Sequence, residues 1–182
     1  MLDLNLPFAI LTVIFVLSTI TDIQEHKIPN VLSLGGILIG LTYMSFSQGI
    51  DGLVFSLQGM GLGFLLFLPF YLLRGMAAGD VKLMAAVGAF VGPSLIVSAV
   101  AGTLISGAVL ALAYAIYIGG ASTLLQRYGS MARVMLTTHQ ITYFKPTEND
   151  AGNTRFPYAA AIFVGTYLGI WWVNQSIPLI NS

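Results

Sequence analysis

Long apolar stretches separated by short polar segments make up most of the chain. They cover residues 4–21, 31–47, 53–73, 81–92, 94–118 and 157–174. A bilayer core about 30 Å thick is crossed by a helix of roughly 20 apolar residues, and lipid offers no hydrogen-bond partners to a backbone that is not helical. The pattern predicts an all-α transmembrane bundle of about six helices. Gly92 and Pro93 separate the short fourth stretch from the fifth by a tight turn, so the two resemble one broken helix.

Composition supports a membrane protein with a single domain over residues 1–182. Hydrophobic residues make up 57% of the chain and charged residues 8%, against roughly a quarter charged in soluble domains. Cysteine is absent, which excludes disulfides, thiolate metal sites and cysteine nucleophiles. The first apolar stretch has no Lys or Arg before it, so we expect it to remain as a helix and not to be removed as a signal peptide.

The charge pattern predicts the orientation in the membrane. All seven basic residues follow the first, third or fifth apolar stretch: Lys27, Arg74, Lys82, Arg127, Arg133, Lys145 and Arg155. Because basic loops stay in the cytoplasm, that side is predicted to be cytoplasmic and both termini to lie outside. The long cytoplasmic segment 119–156 contains apolar residues at helical spacing, which suggests a helix on the membrane surface. Residues 137–153 are expected to form a loop that covers a substrate or merely connects two helices.

Two short segments concentrate the ionisable residues that adjoin membrane helices. One begins with Asp22, at the cytoplasmic end of the first stretch, and the other contains Asp80, at the cytoplasmic start of the fourth. Ionisable side chains at such places are costly and usually functional. Both carboxylates are therefore expected at one depth, where they can face each other.

Paired carboxylates in a poorly hydrated site tend to share one proton. The ionised member can then take a proton from water while the protonated member supports the oxyanion, which is the chemistry of peptide hydrolysis without a cofactor. Ala77, Ala78 and Gly79 are small enough for a peptide backbone to approach. The simpler alternatives are a helix cap for Asp80 and a membrane-boundary anchor for Asp22.

Neighbouring polar residues have structural interpretations of their own. Lys82 is expected to point away from Asp80 and to anchor the helix at the membrane surface. Pro29 is expected to begin the second helix, with Asn30 as a local cap. Glu25 and His26 could join Asp22 in a metal site, but the spacing matches no metal motif, and we interpret them as solvated loop residues.

The two segments resemble the motifs of the prepilin peptidases of type IV pilus and type II secretion systems. Asp22 is followed at the family's interval by Pro29 and Asn30, and Gly79-Asp80-Val81-Lys82-Leu83 resembles the Gly-x-Gly-Asp-x-Lys-Leu motif. Pro157 and Tyr158 resemble a Pro-Tyr-Gly element that opens the last helix. The resemblance implies that Asp22 and Asp80 are catalytic, and that the other motif residues support them or the substrate.

The same resemblance implies that the substrates are prepilins or pseudopilins, whose short leader is cut in the cytoplasm. In its size and its lack of a cysteine-rich domain, the chain resembles the minimal peptidases of tight-adherence (Flp) pilus systems. This resemblance predicts cleavage without methylation in a bacterial inner membrane. Ala77 and Ala159 stand where the family usually has glycine, which puts substrate fit in question.

Two other functions compete with this interpretation. A small transporter could use the aspartates as a proton or cation relay. Proteases of the presenilin type share Gly-x-Gly-Asp, but their pattern has Tyr-Asp at the first aspartate and Pro-Ala-Leu near the end. This chain has Thr21-Asp22 at the first position and lacks the triplet. The sequence gives no sign of nucleic-acid binding.

Overall fold

The computed structural model describes residues 5–73, 75–117 and 158–176, and these are almost entirely helical. Helix α1 comprises Asn5–Glu25 and α2 comprises Asn30–Leu72. Helix α3 comprises Ala78–Tyr117 and α4 comprises Tyr158–Ser176. These ranges contain no strand, so the all-α prediction is confirmed.

Three of the described helical stretches are long and apolar enough to cross a membrane: Leu6–Glu25, Asn30–Leu72 and Ala78–Tyr114. The prediction of a membrane protein is confirmed, whereas the six-span count and the outside position of the termini stay predictions. Helix α1 continues past the predicted residue 21 to Glu25, because intrahelical hydrogen bonds still form where polar side chains begin. The expected surface helix, the loop 137–153 and Pro157 lie outside the described residues.

Helix α2 is interrupted at Gly49, whose backbone lies in the left-handed region with φ 65° and ψ −140°. This conformation is open to glycine and strained for other residues. Contacts with α3 show that the chain reverses direction there. Gly36 and Gly40 pack against Ala86 and Ala89 in parallel order, whereas Gly59 and Gly63 pack against Gly88 and Met84 in antiparallel order.

Helix α3 is interrupted in the same way at Gly92, which has φ 73° and precedes Pro93. The tight turn predicted at this position is therefore present, although helical structure continues on both sides of it. Proline is tolerated here because it begins a new helical segment, where its missing N–H leaves no bond unmade.

The centre of the bundle is the first part of α3. Residues 80–92 are all buried except Lys82, and small side chains on both of its flanks allow the backbones of α2 to approach closely. Oγ of Ser56 in α2 donates a 2.7 Å hydrogen bond to the carbonyl of Ala89. A helix that is apolar on every side is typical of such a fully surrounded position.

Helix α4 packs antiparallel to α1 and to the second part of α3. Thr12 Oγ1 lies 2.6 Å from the Tyr167 hydroxyl, and the rings of Phe15 and Phe163 stack with centroids 5.3 Å apart. On the other side of α4, Gly165 packs against Thr103. This antiparallel arrangement brings the start of α4 to the end of α1.

Two compact units make up the chain. The first contains residues 1–107 and 157–182, and it holds every contact described above. The second contains residues 108–156, of which the structure describes only the last helical turns of α3, residues 108–117. The assignment of residues 1–182 to a single peptidase domain stays a prediction.

Candidate active site

Asp22 lies in the last turn of α1 and is 7% exposed. The helix ends because His26 adopts a left-handed conformation with φ 51°, and its N–H donates a 3.0 Å hydrogen bond to the Asp22 carbonyl. Such a residue is a common way for a helix to terminate. Pro29 follows as the N-cap of α2 with φ −59°, so the predicted start of the second helix at this proline is confirmed.

The Asp22 side chain receives backbone hydrogen bonds from the start of α4. Oδ2 accepts a 2.9 Å bond from the N–H of Ala159, and the backbone N–H of Tyr158 also donates to this carboxylate. The first N–H groups of a helix lack intrahelical partners and carry partial positive charge. The end of α1 and the start of α4 are therefore tied together through a carboxylate, which a simple membrane-boundary anchor does not require.

Asp80 is the third residue of α3 and is 4% exposed. Its Oδ2 accepts a 2.9 Å hydrogen bond from the N–H of Ala77, while its own N–H donates to the Ala77 carbonyl at 3.1 Å. This is the arrangement in which an acidic residue in the first turn reaches back to the cap residue. The cap interpretation of Asp80 is thus correct as a structural role. A surface cap does not need such burial, however.

The two aspartates are close enough for the charge of Asp22 to act on the Asp80 carboxyl group. The Tyr158 hydroxyl lies within electrostatic reach of Asp80 as well. Two buried carboxylates from different helices therefore share one environment, at the end of the bundle opposite to Gly49 and Gly92. Such a pair can hold one proton between them and activate a water molecule.

The connection between α1 and α2 packs directly onto the start of α3. A side chain at Gly79 would lie 3.0 Å from Cβ of Ile28, and Ile28 itself is 8% exposed. Ile28 therefore packs against one side of Gly79, and the expectation that Gly79 leaves room for a substrate backbone stays a prediction. Gly79 is needed because two chain segments meet there.

The structure also corrects the interpretation of Asn30. The start of α2 has no side-chain cap bond, and Oδ1 of Asn30 accepts a 2.8 Å hydrogen bond from Nζ of Lys82 instead. The expected local cap is thus wrong. The Lys82 ammonium thus reaches the start of α2, and its predicted direction away from Asp80 stays a prediction.

The remaining candidates lie around the carboxylates in different settings. Ala77 and Ala78 are exposed, and Tyr158 is half-buried with its ring against Gly107. Glu25 and His26 are exposed, which agrees with the interpretation as solvated residues. Among the described residues, no three His, Cys, Asp or Glu side chains group in a way that could hold a metal ion.

Sequence reasoning missed two contributors to the site. The N–H of Ala159 has no side-chain signature, and Ile28 looks like any apolar residue before a proline. The only available signal for the first was that Pro157 and Tyr158 mark the start of a helix, where free N–H groups are expected.

Comparison with known proteins gives one match. The sequence model described as the type IV leader peptidase family matches residues 9–120, a range that includes both aspartates. No curated protein matches the chain, and no solved structure matches it.

Proposed function

The chain belongs to the type IV leader peptidase family, and from this we propose that it is an aspartic endopeptidase in which Asp22 and Asp80 form the catalytic pair. Its substrates are prepilins or pseudopilins, from which it removes the short leader at the cytoplasmic face of the membrane. The observation that carries the proposal is the shared, buried environment of two carboxylates from α1 and α3.

Peptide hydrolysis by this pair needs one ionised and one protonated carboxylate. The ionised aspartate takes a proton from water as the water oxygen attacks the scissile carbonyl carbon. The protonated aspartate donates a hydrogen bond to the developing oxyanion. When the C–N bond breaks, a proton passes to the leaving amine, and the pair again holds one proton.

The backbone donors around the pair support this chemistry by fixing both carboxylates. Ala159 holds Asp22 and Ala77 holds Asp80, so neither side chain has to be reoriented when substrate arrives. Preorganised polar groups of this kind contribute strongly to catalysis because they need no rearrangement during the reaction.

The finer specificity is part of the same proposal. The resemblance of the motifs and the absence of cysteine from these residues favour a peptidase of the Flp type, which cleaves without methylating. The basic residues on the side of Asp22 and Asp80, such as Lys27 and Lys82, favour a cytoplasmic active site by the positive-inside tendency.

Mass spectrometry of a co-expressed candidate prepilin tests the function directly. The wild-type chain should release the leader, whereas Asp22→Asn should leave the precursor intact at equal expression and membrane insertion. Glu25→Gln is the matched control, because Glu25 is an exposed acid one helical turn away. An intact leader with the wild-type protein across all Flp-type pilins would count against the proposal, as would cleavage that depends on an imposed ion gradient.

A further inference from the structure

The hydrogen bond between Asn30 and Lys82 joins the two segments that carry the aspartates. Nζ of Lys82 lies 2.8 Å from Oδ1 of Asn30, although the two residues are far apart in sequence. Lys82 follows Asp80 in the first turns of α3, and Asn30 is the first residue of α2, just after the connection that begins at Asp22. Each partner is therefore close in the chain to one carboxylate.

The same two segments meet at a second contact. Ile28 packs against Gly79 so closely that an added side chain would lie 3.0 Å from its Cβ. This apolar contact fixes how near the segments come. It does not prevent the segments from sliding along each other, because dispersion contacts have little directionality. A hydrogen bond is directional and does prevent this movement.

The surroundings of Asp22 make such a constraint useful. Its helix ends three residues later, and the chain then passes through left-handed His26 and exposed Lys27 before Ile28 becomes buried. Helix ends fray unless they are held. Asp80, by contrast, belongs to the central buried segment of α3. The Ala159 N–H holds the Asp22 carboxylate against α4, so its position relative to Asp80 depends further on what holds the connection against α3.

We propose that Asn30 and Lys82 are a positioning pair, which sets the separation of the Asp22 and Asp80 carboxylates by locking the α1–α2 connection to the start of α3. The effect of the pair on catalysis rests on the proposed peptidase function. Its effect on the separation of the two carboxylates does not. The pair contacts neither carboxylate through a described hydrogen bond. It acts through the backbone of the connection and through the first turns of α3.

Cross-linking measures the separation without any need for activity. The chain has no cysteine, so Asp22→Cys with Asp80→Cys gives a full-length protein in which the formation of one disulfide depends on the distance between these positions. Adding Asn30→Ala should slow cross-linking by roughly fivefold or more, because disulfide geometry is demanding. Adding Asn30→Asp should restore the rate, since a carboxylate accepts a stronger bond from an ammonium.

A second cysteine pair separates a local effect from general loosening of the bundle. Gly36→Cys with Ala86→Cys joins α2 and α3 where the two Cβ positions lie 3.2 Å apart, close to disulfide geometry, and its cross-linking should be unchanged by Asn30→Ala. Equal rates for the aspartate-position pair with and without Asn30→Ala would overturn the proposal. A lower cross-linking rate for both cysteine pairs would also overturn it, as would an aspartate-position pair that does not cross-link in the parent protein.

Leader cleavage tests the catalytic consequence. Asn30→Ala and Lys82→Met should each lower kcat by roughly tenfold with KM little changed, because small misplacement of reacting groups is costly. The double variant should be no worse than either single one, and Asn30→Asp should recover activity. Lys27→Met, which removes an exposed lysine from the same connection, should have no effect.

The pH profile provides a readout that simple loss of folded protein does not change. Coupled carboxylates titrate in two steps that lie further apart when the groups are closer. Asn30→Ala should therefore narrow the bell-shaped profile of cleavage, and an unchanged width with reduced activity would overturn the positioning role. If the wild type cleaves no prepilin, the proposed function fails, while the cross-linking rates still decide whether the pair positions the carboxylates.

Discussion

The backbone N–H of Ala159, in the first turn of α4, donates a 2.9 Å hydrogen bond to Oδ2 of Asp22, in the last turn of α1. Proline at this position removes the donor, and the first turn of a helix otherwise tolerates it. We expect Ala159→Pro to reduce leader cleavage by roughly 100-fold, since the carboxylate is no longer fixed. Ala159→Gly keeps the N–H and should stay active. Wild-type cleavage by the proline variant would show that this bond is dispensable.

Replacing Asp80 separates its role as a cap from its proposed chemistry. In Asp80→Asn the amide oxygen can still accept the N–H of Ala77, which now bonds Oδ2 at 2.9 Å. In Asp80→Ala that bond is lost at a cost of about 1 kcal/mol. Both variants should be inactive in prepilin cleavage, but only the alanine variant should melt at a lower temperature in detergent. Cleavage by Asp80→Asn would remove Asp80 from the catalytic pair.

The crossing of α2 and α3 depends on two glycines that face each other. A side chain on Gly59 would collide with the Gly88 carbonyl, and Gly61 in the same helix has nothing within 4 Å. Gly59→Ala should therefore destabilise the folded protein by about 2 kcal/mol or more. Gly61→Ala should be neutral or stabilising by about 0.5–1 kcal/mol through helix propensity. Thermal unfolding in detergent compares them, and equal stabilities would contradict the packing.

His26 holds a backbone conformation that is unfavourable for a side chain branched at Cβ. With φ at 51°, His26→Val should lower stability by about 1 kcal/mol or more, whereas His26→Gly should not. Leader cleavage should persist in the glycine variant, because the His26 side chain is exposed. Loss of cleavage in His26→Gly at full stability would instead point to a direct role for the imidazole.

The orientation in the membrane can be read with single cysteines in this cysteine-free chain. Lys27 lies in the connection next to Asp22, and Asp51 lies beside the break at Gly49, at the opposite end of the bundle; both are exposed. A membrane-impermeant thiol reagent added to intact cells should label Asp51→Cys and spare Lys27→Cys. The reverse pattern would place the aspartates outside and exclude cytoplasmic leader cleavage.

The helices and the importance of the two aspartates can be predicted from the sequence because each leaves a local signal. Apolar length marks a helix in lipid, and an acidic residue at the border of an apolar stretch is conspicuous. The partners of those residues leave no such signal. The Ala159 donor is backbone, the Lys82 partner Asn30 lies on another helix, and Gly79 is small on account of Ile28. Such pairings depend on which helices become neighbours, and hydropathy carries no information about that.

The fully surrounded segment of α3 shows how this protein distinguishes inside from outside. Outward-facing positions such as Phe46, which is 89% exposed, carry large apolar residues, while the face of the segment that meets the glycines of α2 carries Ala86 and Ala89. Both classes are apolar, so water-based sorting of polar from apolar residues does not separate them. Side-chain volume does at this contact, because a large residue on either helix would keep the two backbones apart. Hydropathy therefore does not identify the positions at this contact that are sensitive to substitution. A library of variants should be sorted by the bulk added at each position.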